Sequence, residues 1–305
     1  MQHRLQVSLP QPGMMQKPLT LCHAKATTET RQEETRELTM KASAIFRPDL
    51  LKGKTVIVTG GGSGIGRAIV EECHALGARI AIGARKQARL DETVEAIRAD
   101  GGDIFGAPLD IRDEESIASW VAAVSDRWDG QIDVLVNNAG GQFPSPASAI
   151  RPKGWRAVVD TNLNGTWFMT QAVAKEMMAK KSGRIINIVA NMWRGFPGMA
   201  HTGAARAGVV NLTKTLSLEW ARHNILVNAV APGVIRSSGL DTYPEAVRNS
   251  VETEVPKHIP LKRLGTMDDV AWAVVYLASA AGDYVTGETI CVDGGQAHWG
   301  TVFPI

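Results

Sequence analysis

From Lys54 onward the apolar positions alternate between two rhythms. Short β-branched runs read as strands over 55–59, 79–82, 104–108, 134–137, 184–189, 226–231 and 289–292. Between them, apolar residues three and four apart predict helices over 64–76, 86–100, 113–128, 154–180, 204–223 and 267–278. Strands that alternate with helices predict a parallel sheet covered on both faces. The expected fold class is α/β, a single doubly wound sheet of Rossmann type. The chain carries no internal repeat.

The pattern lapses at both ends. Residues 1–45 are rich in Gln, Thr, Glu and Met without a sustained period and read as a disordered extension. One domain covers 46–298, and 299–305 form a short tail. The first 28 residues hold Arg4, Lys17 and Lys25 and no acid, a composition compatible with organellar import. The reading preferred here starts translation at Met40 and places the protein in the cytoplasm.

Composition narrows the function classes. The 305 residues are 44% hydrophobic and 21% charged, an ordinary globular mixture. A net charge of +2 gives no footprint for nucleic acid or an anionic membrane. Cys22, Cys73 and Cys291 match no metal or redox spacing, so a disulfide framework and a metal site are not expected. No apolar run approaches the ~20 residues of a membrane helix.

Candidate chemistry starts at the end of the first strand. Thr59-Gly60-Gly61-Gly62-Ser63-Gly64-Ile65-Gly66 leads from that strand into a helix. Glycines let a backbone approach a pyrophosphate, and a helix N-terminus offers free N–H groups to it. A tight turn would also explain glycines, but the strand–loop–helix context points to a dinucleotide.

The spacing of Gly60, Gly64 and Gly66 resembles the short-chain dehydrogenase/reductase family, and four further segments extend the resemblance over most of the domain. They are Asn137-Asn138-Ala139-Gly140, Asn162-Leu163-Asn164-Gly165, Pro232-Gly233-Val234-Ile235, and Tyr284-Val285-Thr286-Gly287 with Val292-Asp293-Gly294-Gly295. The resemblance implies a nicotinamide cofactor held by Thr59, Gly60, Ser63, Gly64, Ile65 and Gly66, by Asn138, Ala139 and Gly140, and by Pro232, Gly233 and Ile235. Asp110 and Ile111 resemble the adenine-side contact. The second strand ends in Gly83-Ala84-Arg85-Lys86. An acid there would accept from a ribose 2′-OH; two cations and no acid predict NADP(H), with Arg85 and Lys86 on the 2′-phosphate. A solvated helix start is the plainer account of those two cations. The resemblance also implies a homo-oligomer, usually a tetramer built on the helices at 154–180 and 204–223.

The catalytic segment departs from the family. A ketone reductase of this type uses a Tyr, a Lys four residues later and a Ser. The matching segment is His201-Thr202-Gly203-Ala204-Ala205-Arg206. Thr202 stands at the tyrosine position, Arg206 at the lysine position, and Val189 or Ala190 at the serine position; only Asn162 is retained. An alkyl hydroxyl is a poor acid, and Arg is effectively always protonated. This suits hydride addition to carbon with charge spreading onto an enolate. The segments 138–146 and 201–208 resemble the peroxisomal trans-2-enoyl-CoA reductase branch, and 45–48 with 191–195 resemble a bacterial citronellol/citronellal dehydrogenase branch. The expected function is NADPH-dependent reduction of a trans-2-enoyl-CoA, an activity of fatty acid metabolism. The alternatives are a dehydrogenase of long-chain or terpenoid alcohols, and a non-catalytic NADP-binding protein.

Expected roles follow. Arg206 holds the nicotinamide ribose and lends positive charge. Thr202 donates to the developing oxyanion. Asn162 orders a water or a helix kink, or is a purely structural link. His201 is a proton relay or a polar loop residue. An apolar-chain substrate would meet Gln142-Phe143-Pro144-Ser145-Pro146 and a loop of Met192, Trp193, Phe196, Pro197 and Met199, under a lid over 237–260. Arg151, Lys153 and Arg194 are the surface cations at hand for a CoA moiety.

Overall fold

The computed structural model describes residues 45–237, 240 and 245–298, with the side chain of 246 left out. Apart from Ile45, the expected extension 1–45 and tail 299–305 lie outside the described residues. The strands are β1 (Thr55–Thr59), β2 (Arg79–Ala84), β3 (Ile104–Pro108), β4 (Val134–Asn137), β5 (Gly183–Ile188), β6 (Ile225–Pro232) and β7 (Thr289–Val292). They form one parallel sheet in the order β3-β2-β1-β4-β5-β6-β7. The order reverses between β1 and β4, which opens a crevice beyond the C-terminal ends of the strands.

The helices are α1 (Gly64–Ala75), α2 (Gln87–Ala99), α3 (Glu114–Arg127), α4 (Pro152–Val159), α5 (Gly165–Lys180), α6 (Ala200–Trp220), α7 (Glu245–Thr253) and α8 (Met267–Ala278). Alternate strand residues serve opposite faces. Val56, Val58, Ile80 and Ile82 pack with α1, α2 and α8, while Ile57, Ala81 and Leu135 pack with α3, α5 and α6. Burial on both faces is why the strands read as near-continuous apolar runs.

Three boundaries differ from expectation. The single helix expected over 154–180 is broken into α4, a wide π-type turn at Asp160–Asn164, and α5. The helix expected from 204 begins at Ala200, which brings His201 and Thr202 into its first turn. The region expected to be an aperiodic lid contains α7; residues 238, 239 and 241–244 of it lie outside the described residues.

Polar groups inside the sheet are paired. Asn137 Nδ2 donates to Thr170 Oγ1 (2.8 Å) and to Asn187 Oδ1 (2.9 Å), and Asn187 Nδ2 donates to Thr213 Oγ1 (2.9 Å). This buried chain ties α5 and α6 to β4 and β5. At the opposite end of the sheet, Asp133 Oδ2 accepts from the Thr55 N–H (2.9 Å) and Oδ1 accepts from Lys180 Nζ (3.0 Å). Burial pushes this carboxyl up, but the Thr55 N–H and the Lys180 and Lys54 ammonium groups outweigh it and hold it below its ordinary value.

A depressed native pKa adds stability above the unfolded value and loses it as pH falls through the native one. Asp133→Ala also strands the Thr55 N–H. The expected cost is about 1–3 kcal/mol in denaturant unfolding near pH 7. The gap between variant and parent should narrow on acidification below about pH 4; a gap unchanged between pH 7 and pH 3 would remove the charge from this account.

Candidate active site

The glycine loop is shaped by close approaches. A Cβ on Gly66 would lie 2.4 Å from the Gly60 carbonyl oxygen, and one on Gly62 would lie 2.5 Å from the Arg89 carbonyl oxygen. Gly60 has φ +71° and Gly64 φ +55°, the left-handed region glycine tolerates. Behind the loop, Thr59 Oγ1 accepts from the N–H groups of Asn138 (3.0 Å) and Ala139 (2.9 Å). Asn138 Nδ2 donates back to the Thr59 carbonyl at 2.9 Å. These bonds fix the ends of β1 and β4 side by side.

The residues fit a dinucleotide. Ser63 precedes α1 in extended conformation without capping it, and the first turn of α1 holds no acid. Free N–H groups there suit a pyrophosphate. Ile65, the second residue of α1, packs against the core. Arg85 and Lys86 are exposed beyond β2 and have no carboxylate partner in hydrogen-bond contact among the described residues. Asp110 is gripped by Arg112 through Nε (2.9 Å) and Nη2 (2.5 Å). That bond, with a smaller pull from Arg85, takes its carboxyl down to about 2. The Ile111 side chain is buried against Gly165, so Asp110 carries the polar surface of the pair. Pro232 ends β6, Gly233 runs close along Asp293, and Ile235 is buried on Gly265.

Arg206 is the centre of the candidate catalytic segment. It sits inside α6, 8% exposed. Its Nη1 donates to the Ile188 carbonyl at 2.6 Å, the last residue of β5. No carboxylate among the described residues pairs with it. Burial lowers its pKa to about 10, still far above neutral, so the charge persists. A Cβ on Gly140 would lie 2.4 Å from Arg206 Nη2 and 2.7 Å from Asn162 Oδ1. The guanidinium and the Asn162 amide therefore flank the loop after β4.

Asn162 occupies the π-type turn. Its Nδ2 donates to the Gly141 carbonyl (2.7 Å) and the Val158 carbonyl (2.8 Å). The side chain thus holds the widened turn to the loop after β4. Thr202 and His201 are both buried in the first turn of α6. His201 is a helix residue, not a loop residue, and its ring lies T-shaped to that of Phe143, with centroids 4.6 Å apart.

The family's phenol has no substitute among the described tyrosines at this end of the sheet. Tyr276 and Tyr284 flank the Leu277 carbonyl and Asp283, and both of those groups bind Arg184 at the start of β5. That is the opposite edge. Tyr243 lies outside the described residues. The two apolar loops are joined where the Ser145 N–H donates to the Gly198 carbonyl at 2.7 Å, but their aromatic side chains diverge. Phe143 covers His201, whereas Trp193 donates through Nε1 to Cys291 Sγ at 3.0 Å and reaches over β7. There it lines a separate hollow of about 250 Å³ with Val210, Lys214 and His298. No helix among the described residues is long and apolar enough to cross a membrane.

The family profile described as Enoyl-(Acyl carrier protein) reductase matches residues 60–297. A probable 2,4-dienoyl-CoA reductase, (2E)-enoyl-CoA-producing, from Bacillus subtilis (strain 168) is 35% identical over 258 residues, covering 83% of this chain and all 100% of its own. A peroxisomal 2,4-dienoyl-CoA reductase, (3E)-enoyl-CoA-producing, from Arabidopsis thaliana is 36% identical over 260 residues, 82% of this chain and 86% of its own. Among solved structures, the citronellol catabolism dehydrogenase AtuB of Pseudomonas aeruginosa PAO1 is 43% identical with a TM-score of 0.74, over 83% of this chain and 99% of that one.

Gly140→Ala tests the packing around Arg206. The new methyl must displace the guanidinium or Asn162. The expected result is a folded protein, with unfolding midpoint near the parent's, that has lost most of its turnover. Full activity would mean that the Arg206 position is not needed.

Proposed function

The chain belongs to the short-chain dehydrogenase/reductase family and is a nicotinamide-dependent oxidoreductase, and on that premise we propose that it reduces α,β-unsaturated acyl thioesters with NADPH, trans-2-enoyl-CoA being the expected substrate. The observation that carries this reading is the buried guanidinium of Arg206, which meets a backbone carbonyl but no carboxylate among the described residues, one helical turn from a threonine at the family's phenol position. Bound NADPH would supply a hydride to the substrate β-carbon. The double-bond electrons then move toward the thioester oxygen, and the chain's task is to hold that charge. Arg206 contributes a cation in a dry setting, and Thr202 Oγ1 donates a hydrogen bond. Neither surrenders a proton. Water protonates the α-carbon in a later step, so no tuned acid is needed.

Asn162 acts as a positioning residue, because it locks the turn against Gly141 and hence beside Arg206. The reactions named for the Bacillus and Arabidopsis relatives support a conjugated thioester, since a 2,4-diene passes charge to the same oxygen. Arg85 and Lys86, with no acid at the end of β2, support NADPH over NADH. A second reading is favoured by the 43% identity to the citronellol catabolism dehydrogenase: oxidation or reduction at a terpenoid alcohol or aldehyde. It needs an acid–base group, and His201 is the one beside Thr202.

NADPH oxidation at 340 nm with trans-2-decenoyl-CoA and with citronellal separates the two. Turnover of the thioester is expected; turnover of citronellal alone would sink the proposal. Arg206→Ala should lower kcat on the thioester by roughly 100-fold, the size of losing one oxyanion donor. Intact turnover and NADPH affinity in that variant would displace Arg206 from the site. Arg85→Asp should shift the preference toward NADH, read as the ratio of kcat/KM for the two cofactors. An unchanged ratio would remove Arg85 from cofactor choice.

A further inference from the structure

The ring of His201 has one end satisfied and one end bare. The first four N–H groups of a helix lack intrahelical acceptors. In α6 the Thr202 N–H, one of these, donates to His201 Nδ1 at 2.8 Å. A backbone N–H can only donate, so Nδ1 must present its lone pair. A neutral imidazole then carries its hydrogen on Nε2. That nitrogen is fully buried and meets no hydrogen-bond partner among the described residues. Its aromatic neighbour, Phe143, offers nothing stronger than the weak acceptor of a π face.

A buried N–H left unpaired costs about 1–3 kcal/mol, and most such groups in folded proteins find a partner. The other unpaired buried side-chain atoms among the described residues are on Thr55, Arg79, Thr93 and Thr289. Thr55, Arg79 and Thr289 open their strands, at the sheet edge away from the crevice, and Thr93 lies within α2. His201 alone adjoins Thr202, on the helix that carries Arg206.

We propose that His201 is a hydrogen-bond donor of fixed tautomer, whose Nε2–H binds the carbonyl oxygen of the substrate's acyl thioester once the part-exposed Phe143 ring that covers the histidine is displaced by the acyl chain. This rests on the thioester reading above. The carbonyl is the acceptor favoured because Thr202, bonded to the same ring, donates to that oxygen in the same reading. His201 does not relay protons. A proton on Nδ1 would face the Thr202 N–H and break the bond that holds the ring. Removing the hydrogen from Nε2 would require the same change.

The test titrates decanoyl-CoA into the full chain with NADP+, by calorimetry, for the parent, His201→Gln and His201→Phe. Both variants lose the Nδ1 acceptor, so a purely structural defect weakens them alike. Only Gln restores an N–H at the distal position. His201→Phe should bind about tenfold more weakly than the parent, and His201→Gln within about threefold of it. Their kcat/KM on trans-2-decenoyl-CoA should follow the same order, with NADPH affinity unchanged in both. Equal binding by parent and Phe variant, or equal weakness of Phe and Gln variants, overturns the proposal. A parent that neither binds decanoyl-CoA nor reduces decenoyl-CoA overturns the thioester reading itself, and this inference with it.

Discussion

A guanidinium buried without a counter-charge is among the most demanding groups a fold can hold, and Arg206, which has none among the described residues, organises three elements around itself. The end of β5 supplies the Ile188 carbonyl to Nη1. The loop after β4 must be glycine at 140, because Nη2 fills the space a Cβ would take. The turn at Asp160–Asn164 is widened, and the Asn162 amide it presents holds that loop in place. None of these supplies negative charge. A carbonyl dipole and an amide moderate the cost of burial without cancelling it, which leaves the charge able to attract an electron-rich ligand. That is the physical link between packing and function here.

The same accounting explains what kind of reaction fits. With threonine in the phenol position and the described tyrosines at the opposite edge of the sheet, the site holds charge better than it moves protons. Arg206 keeps its proton because even its lowered pKa of about 10 stands well above neutral. A carbonyl reduced directly to an alkoxide must gain a proton from the site as the hydride arrives. An enolate delocalises its charge onto an oxygen and can wait for water. The asymmetry favours the conjugated thioester over the aldehyde without appeal to substrate shape.

Much of the fold was legible because its signals are local. Strands such as Thr55–Thr59 are buried on both faces, so each is apolar along its whole length. The glycine loop announces itself because Gly66 and Gly62 have no room for side chains. What escaped the sequence lies in non-local contacts or small changes of pitch. A π-type turn keeps nearly the same apolar period, so 154–180 read as one helix. The start of α6 is hidden because Met199 precedes it without a side-chain cap and the acceptor comes from His201, inside the helix. Trp193 bonds Cys291, 98 residues along the chain, which no local pattern encodes. Of the site, Arg206, Asn162 and Thr202 were nameable by position, whereas the Gly140 packing that binds the first two together required coordinates.

The histidine in the first turn of α6 has a consequence for its neighbour. Nδ1 offers a single lone pair, and two hydrogens of Thr202 compete for it. The backbone N–H lies at 2.8 Å and the hydroxyl oxygen at 3.2 Å. The N–H has no alternative acceptor within the helix, while the hydroxyl hydrogen rotates freely about its C–O bond. The lone pair therefore goes to the backbone, and the hydroxyl is left to donate elsewhere. Had the first turn been capped by a preceding serine or aspartate, Nδ1 would have been open to the hydroxyl and would have drawn its hydrogen away from any substrate. Placing the cap on His201 instead satisfies the helix terminus, fixes the ring's hydrogen on Nε2 and frees the Thr202 hydroxyl. A single side chain thereby presents two donors, its own and its neighbour's, beside a charge that is already in place.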